Sequence, residues 1–388
     1  MSQMRESPIL RRRMNHLPCD IVLNILGKLP VKSVIRLWRV CKFWDSLITT
    51  PSFISTHLNR NNNNNKDNGN DYIIHMASWK ARRLVSSHLS KSTPKTSICT
   101  VAFDRTFDKI SDIEIPFDFT SDCTQMVGSC NGLLCLADSN NVIYLWNPSV
   151  RKFKKLPHTC LENLNHVTLG FAYCSENNDY KVVRTSRSTF LSPSEIEMYT
   201  LSSDSWRRVE ISVTTDVWFS KDLLSPSPLV SGALHWITET SIVAFDVNSE
   251  KFRRLALPDV SIYGQQLQRT CIASLRGKLA FIAKLAFIGQ SSFQYFIWVM
   301  TDYGVVESWN KLFVVPFERL ACWVRLTDYG SLMVGYRDDP FGRQGLKYAL
   351  IDTETLQEKK DPDIQHPSFI ASFMESLVLL DGTNVESY

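Results

Sequence analysis

The sequence predicts a multidomain α + β chain, with a small three-helix unit followed by an all-β propeller of about six blades, seven being the alternative count. Three observations carry this. Helical periodicity is confined to residues 15–58, between a basic tail at 1–14 and an Asn-rich stretch at 59–71. From 72 to 388, short apolar runs punctuated by Gly, Asn, Asp, Ser and Pro replace helical spacing. Those runs recur with a period near ~50 residues, the length of a kelch-type propeller blade.

The helical unit reads in order. Pro18 suits a first helical turn, and Ile21, Val22, Ile25, Leu26 and Leu29 follow at helical spacing. Pro30 stops that helix. Val31, Val34, Ile35 and Trp38 start a second, with Lys32, Arg36 and Arg39 along its polar side. A third runs through Phe43, Trp44, Leu47 and Ile48 and ends at Pro51. "LNRNNNNNKDNGNDY" (58–72) is nearly free of apolar residues and reads as a flexible linker or exposed loop.

Charge is uneven between the parts. Of the 43 Lys/Arg and 39 Asp/Glu, nine and three fall in residues 1–57, giving +6 there and −2 in the remainder. The large part has no overall pull on nucleic acid, so a nucleic-acid partner is not expected. The small basic part suits an acidic protein surface. "RRR" at 11–13 is compatible with a nuclear signal or a solvated tail. No apolar run approaches the ~20 residues of a membrane helix, so no membrane partner is expected either. The ten cysteines include no C-x-x-C pair and no zinc spacing, and N-x-[ST] is absent. This reads as a reducing, cytoplasmic and/or nuclear protein without metal or cofactor.

The strand region repeats two signatures. A glycine two positions before a leucine opens several units: Gly132–Leu134, Gly232–Leu234, Gly277–Leu279 and Gly330–Leu332. Then comes an aromatic, a polar turn and a second aromatic seven positions on, trailed by basic residues. "WNPSVRKFKK" (146–155), "YTLSSDSWRR" (199–208) and "FDVNSEKFRR" (245–254) share it; "MTDYGVVESWNK" (300–311) is a looser copy. Each reads as a strand, a turn and a strand, the two aromatics stacking in neighbouring layers. "SFIASFMESLVLL" (368–380) is expected to close the ring against strands near 72–78. An unrelated β-sandwich is the competing architecture.

Catalytic constellations are not evident. G-x-S-x-G, H-E-x-x-H, G-x-G-x-x-G and the P-loop are all missing, and the eight histidines lack metal spacing. His158 and Cys160 could make a nucleophilic couple, but a turn residue and a core thiol fit better. His235, inside a strand, reads as a packed or hydrogen-bonded histidine. No catalytic residue is assigned.

The N-terminal unit, "LPCDIVLNILGKLPVKSVIRLWRVCKFWDSLITTPSFISTHL" (17–58), resembles an F-box of the plant type. The matching positions are Leu17-Pro18, Asp20, Ile25-Leu26, Leu29-Pro30, Lys32-Ser33, Arg36, Val40-Cys41-Lys42, Trp44, Leu47-Ile48, Pro51, Phe53 and His57-Leu58. Trp38 stands where the family has phenylalanine. "GSCNGLLCL", "LWNPSVRKFKKLP" and "YKVVR" resemble the F-box-associated, kelch-like domain that follows the F-box in a large plant family. The chain lacks the double glycine of regular kelch repeats.

The resemblance implies a mechanism. The F-box would bind the Skp-type adaptor of an SCF cullin–RING ubiquitin ligase, and the propeller would hold a protein substrate for ubiquitination and degradation. Such a subunit is no enzyme; it works by proximity. The expected adaptor contacts are Leu17, Pro18, Ile25, Leu29, Pro30, Val34, Leu37, Val40, Cys41, Trp44 and Leu47, with Ile21, Leu26 and Ile48 as internal core. The expected substrate loops are 186–195, 214–228, 258–269 and 336–345, with Trp218, Phe219, Tyr263 and Phe341 as aromatic contacts. The alternatives are a propeller lectin or small-molecule binder, and an adaptor-bound scaffold outside any ligase.

Overall fold

The computed structural model describes residues 17–68, 72–77, 98–120, 124–161, 165–187, 194–210, 226–238, 240–259, 261–262, 265–266, 268–286, 293–337, 347–360, 368–380 and 383–388. The basic tail at 1–14 and the aromatic candidates Trp218, Phe219, Tyr263 and Phe341 lie outside the described residues. The chain divides into two compact units, Met1–Asn64 and Asn65–Tyr388.

The first unit holds four helices where three were expected: α1 (Cys19–Leu26), α2 (Val31–Trp38), α3 (Lys42–Ile48) and α4 (Pro51–Asn68). The prolines act as starts. Pro18 and Pro30 occupy the N-cap positions of α1 and α2, and Pro51 is the first residue of α4, where its missing N–H has no partner to lose. Thr50 caps α4, its Oγ1 accepting from the Phe53 amide at 3.4 Å. The reading of 59–71 as a linker or loop is therefore corrected: 59–68 continue a helix. Buried Phe53, His57 and Leu58 anchor its first two turns. Each following Asn then adds a backbone bond at a propensity penalty below ~1 kcal/mol.

The second unit is a six-bladed propeller. Blade one takes Tyr72–Ala77, Ile98–Phe103 and Lys109–Glu114, with Ser368–Phe373 as its first strand. Blade two has Thr124–Cys130, Leu133–Asp138, Ile143–Asn147 and Lys152–Lys155, plus Val385–Ser387 as a fifth strand. Blade three has Thr168–Cys174, Asp179–Ser186, Glu195–Thr200 and Ser205–Arg208. Blade four has Leu229–Val230, Ala233–Ile237, Ser241–Asp246 and Lys251–Ala256. Blade five has Gln268–Leu275, Lys278–Ala286, Phe293–Met300 and Trp309–Phe317. Blade six has Leu320–Leu326, Ser331–Arg337, Lys347–Asp352 and Glu358–Lys360. A short hairpin, Ser261–Ile262 with Gln265–Gln266, joins blades four and five. Closure is by Ser368–Phe373 antiparallel to Tyr72–Ala77, with Tyr72 opposite Phe373. Ile73, Ala102 and Phe107 of blade one pack on Met333, Tyr348 and Leu350 of blade six, which completes the ring.

The two repeat signatures are turn chemistry. Asn131–Gly132, Ser231–Gly232 and Arg276–Gly277 have positive φ at both residues (51° and 80°, 49° and 73°, 51° and 74°), as a type I′ turn between the first two strands of a blade requires. The polar turn of the second signature joins strands three and four. Asn147, Asp246 and Asp352 accept backbone N–H bonds from residues two or three further on. The turn ends on a left-handed residue: Arg151, Asp204, Glu250 or Leu356. The aromatic pairs Trp146/Phe153, Tyr199/Trp206 and Phe245/Phe252 are directly opposite one another in register. They share one face of one sheet, which corrects the expectation of neighbouring layers. Strand two reads as a continuous apolar run because both its faces are covered; Leu133–Asp138 is buried throughout.

Each of these turns is gripped by another part of the chain. At five junctions the grip comes from the preceding blade. Buried Lys154 of blade two pairs with Asp204 at 2.9 Å. Burial opposes ionisation of Asp204, but hydrogen bonds from Thr383, Lys154 and Tyr199 outweigh it and hold the carboxyl at about 2. Buried Lys181 of blade three reaches Glu250 and the Val247 carbonyl, both at 2.8 Å. On blade four, His235 Nε2 lies 2.7 Å from the Tyr303 hydroxyl, and Arg253 stacks over the Tyr303 ring at 4.6 Å. Arg276 of blade five pairs with Glu354. Lys359 of blade six pairs with Asp108 at 2.7 Å. Blade two's own turn is held by the C-terminal segment instead. Asn147 Nδ2 donates to the Val378 carbonyl at 2.8 Å, the Tyr388 amide to the Arg151 carbonyl at 3.3 Å, and Trp146 Nε1 to the Tyr388 hydroxyl at 3.1 Å.

His235 makes folding pH-dependent. Burial is the main cause that lowers its pKa to about 4, against ~6.5 in an unfolded chain. The unfolded state thus takes up a proton that the folded state refuses. Stability is full above pH ~6.5 and is lost as pH falls from there toward 4, by roughly 2 kcal/mol at pH 5. Urea midpoints at pH 7.5 and pH 5 check this: the drop shrinks in His235→Gln, and an equal drop in both proteins contradicts the assignment.

Candidate functional site

α1 carries two apolar stripes. Val22 and Leu26, four apart, are buried within the unit; Ile21 and Ile25, also four apart, are 43% and 50% exposed. Leu17, one turn earlier, is 57% exposed. A helix with one apolar face turned to solvent is an unfinished packing surface. Exposed Val40 (66%) and Phe43 (45%) add to it around the start of α3.

The expected adaptor residues divide three ways. Leu17, Pro18, Ile25, Pro30, Val40 and Cys41 are exposed. Leu29, Leu37, Trp44 and Leu47 are partly buried. Val34 is fully buried at 0% exposure, so it belongs to the unit's interior, and its expectation as a contact is corrected. Val31, three residues before it, is buried too, so the inward stripe of α2 runs through both. Leu26 and Ile48 are core as expected; Ile21 is not, because one residue of helical phase separates it from Val22. Phe43 was missed, though its four-residue spacing from Leu47 was available in the sequence.

Local fastenings keep these helices in place. Trp38 Nε1 donates to Asp45 Oδ1, tying α2 to α3; phenylalanine at 38 has no donor for this bond. His57 Nε2 donates to the Leu29 carbonyl at 2.9 Å across the turn between α1 and α2. Its pKa is lowered, chiefly by burial, so the ring is neutral and Nδ1 is left to accept from Asn61. Cys41 is the extended N-cap residue of α3 (φ −159°). Its thiol makes no cap hydrogen bond. Lys28, Lys32, Arg36, Arg39 and Lys42 are exposed around the same helices, against exposed Asp20 and Asp45. The unit therefore offers an apolar stripe amid positive charge.

In the propeller, strand parity sorts the connections. Turns between strands one and two, and between three and four, leave by one end of the ring. Those between strands three and four are the gripped ones. Connections between strands two and three, and between successive blades, leave by the other end. In chain order the four expected substrate segments, 186–195, 214–228, 258–269 and 336–345, lie between strands two and three of a blade or between blades, and most of their residues are outside the described ones. At that end Cys160 donates both its amide (2.8 Å) and its thiol (3.0 Å) to Glu197, which pairs with buried Arg184 at 2.7 Å. Burial, then the Glu197 carboxylate, raises the thiol pKa. The bonds of Cys160 thus go to a structural ion pair, the opposite of what activates a nucleophile. Among the described residues no group of three or more His, Cys, Asp or Glu could hold a metal, and no helix is long and apolar enough to cross a membrane.

Comparison with known proteins agrees with this geometry. Residues 14–60 match the F-box-like family, and residues 76–334 match the F-box associated beta propeller domain. The chain belongs to this family of F-box proteins. It is 29% identical over 331 residues to F-box protein CPR1 of Arabidopsis thaliana, covering 78% of this chain and 73% of that one. It is 26% identical over 314 residues to the Arabidopsis F-box/kelch-repeat protein At3g23880, covering 78% and 80%.

The inward stripe of α2 and the outward stripe of α1 should differ in what they contribute to stability. Val34→Ala should lower the stability of the helical unit by about 2 kcal/mol, whereas Ile25→Ala should change it by less than ~0.5 kcal/mol. Urea unfolding followed through the tryptophans measures both, and equal losses contradict the split.

Proposed function

We propose that this protein is the substrate-recognition subunit of an SCF-type ubiquitin ligase, acting in the cytoplasm and/or nucleus. The observation that carries the reading is the outward stripe of Leu17, Ile21 and Ile25 on a helical unit of the F-box family. Each such side chain gains about 1.5–3 kcal/mol when fully buried, so three or four of them can sustain a stable complex. The Skp-type adaptor is the partner that the family implies. Its expected chemistry is an apolar groove with acidic flanks, set by Lys32, Arg36 and Arg39 along α2.

The propeller would hold the protein substrate at the end where the longer connections emerge. The other end supports this by exclusion. Its turns between strands three and four are gripped by ion pairs, hydrogen bonds or a stacked arginine, and Ser376 and the Met374 carbonyl run against the Gly132 turn there. Catalysis is by proximity: the bond-making groups belong to other subunits, and this chain raises the local concentration of substrate lysines.

Capture of purified Skp-type adaptor by the full-length protein tests the assignment. Ile25→Glu with Val40→Glu should abolish capture without shifting the unfolding midpoint, because both positions are at least half exposed. Undiminished capture by this variant would refute the docking face. Salt should weaken the wild-type complex mainly through its association rate.

A further inference from the structure

The turn end of blades five and six combines exposed apolar residues with a cavity. The outer strands of blades three, four and six, "SWRR", "KFRRLA" and "EKK", are blunted by charge, and blade two's is covered by Val385–Ser387. Blade five's outer strand, Trp309–Phe317, exposes Leu312 (50%) and Val314 (40%), as blade one's exposes Ile110. The neighbouring turns expose Val305, Val306 and Leu356. The grip at this junction is a surface one, as is the Lys359–Asp108 pair between blades six and one. Lys154 and Lys181 are buried where they hold the next blade, but Arg276 and Glu354 are both more than half exposed.

A cavity of about 190 Å³ opens at this junction. Its apolar wall is Leu275, Val299, Leu312 and Phe313; blade six contributes Gly330 and Thr353. Gly330 sits at φ +96°, where a side chain would be strained, and a Cβ would lie 3.2 Å from Thr353 Oγ1. That side of the cavity is thus kept open by backbone geometry. The two charged residues lining it, Arg276 and Lys278, are both cations. Arg276 has Glu354; exposed Lys278 has no carboxylate in ion-pair range among the described residues.

We propose that this cavity is a second protein-docking site, which takes one aromatic or branched aliphatic side chain from an acidic segment of a partner protein. Size selects a side chain. A cavity of roughly 150 Å³ holds a benzene ring, whereas small-molecule pockets occupy about 300–1,000 Å³. Charge selects the flanks, since carboxylates beside the anchor would meet Lys278 and Arg276. Half-exposed Leu312 on the cavity wall extends the apolar contact beyond the anchor. The site lies at the end of the ring opposite the substrate connections, so it stands apart from the ubiquitin-ligase reading.

The test uses the full-length protein and a fluorescein-labelled, N-acetylated peptide with two glutamates on each side of a single phenylalanine, read by fluorescence anisotropy. Saturable binding is expected. It should weaken at least tenfold when the phenylalanine becomes alanine, and at least tenfold in Leu312→Glu and in Lys278→Glu. A peptide with lysines in place of the glutamates should regain affinity for Lys278→Glu. Both positions are exposed, so the unfolding midpoint should hold and loss of binding reports the site. No saturable binding at millimolar peptide overturns the proposal, as does binding indifferent to both variants. Concentration-dependent self-association that Leu312→Glu removes, seen by sedimentation, would assign the face to a second copy of the chain and overturn it equally.

Discussion

The ring depends on one constraint: a blade's last strand pairs through its own turn, and that turn must be fixed by something outside the blade. A four-stranded sheet with a free outer hairpin frays, because the outer strand has neighbours on one edge only. Here Lys154, Lys181, the His235–Arg253 pair, Arg276 and Lys359 each reach forward to the third-to-fourth-strand turn of the next blade. The cation chemistry is well chosen for the task. A turn ending on a left-handed residue exposes carbonyls and, at Asp204 and Glu250, a carboxylate. A buried ammonium satisfies these acceptors and has its own desolvation offset by them. The apolar interfaces between blades then align face to face, as in the cluster of Ile282, Ile297, Val324 and Val334 between blades five and six.

Among the described residues the turn of blade two is held by the C-terminal segment and not by a preceding blade. The C-terminal segment substitutes backbone amides and carbonyls for a cation. Asn147 is central, its Nδ2 held by the Ser376 and Val378 carbonyls while its Oδ1 orders its own turn. The same asparagine is one letter of a repeat in sequence and a latch in space.

That contrast explains what was legible. The blade count, the closing strand and the helical unit could be read because they rest on local patterns: Gly at the second position of type I′ turns, aromatics at a fixed spacing across a hairpin, and a 3.6-residue period. The outward apolar stripe of the helical unit was half legible. Ile25 and Val40 fall outside and Leu26 and Ile48 inside as read, but Val34 and Ile21 were exchanged. Both errors are of helical phase, since an apolar residue next to the inward stripe looks the same in sequence on either side. α4 was hidden because Asn says little for a helix, while its anchors, Phe53, His57 and Leu58, act through contacts with earlier helices. The grips between blades had no sequence signature, since Lys154 and Asp204, fifty positions apart, obey no spacing rule.

The placement of Ser368–Phe373 also sets a timetable for synthesis. Its partner, Tyr72–Ala77, leaves the ribosome among the first strands, and it leaves among the last. Throughout the interval the nascent chain carries an unfilled ladder along one side of blade one, an open template for stray strands. Domains can begin to fold as they emerge, but this ring cannot lock until translation has passed residue 373. A chain ending before residue 368 would leave blade one without its first strand, and blade two without its fifth strand and the segment that holds its turn. Such a product would keep that unpaired edge permanently, a template for pairing with other chains.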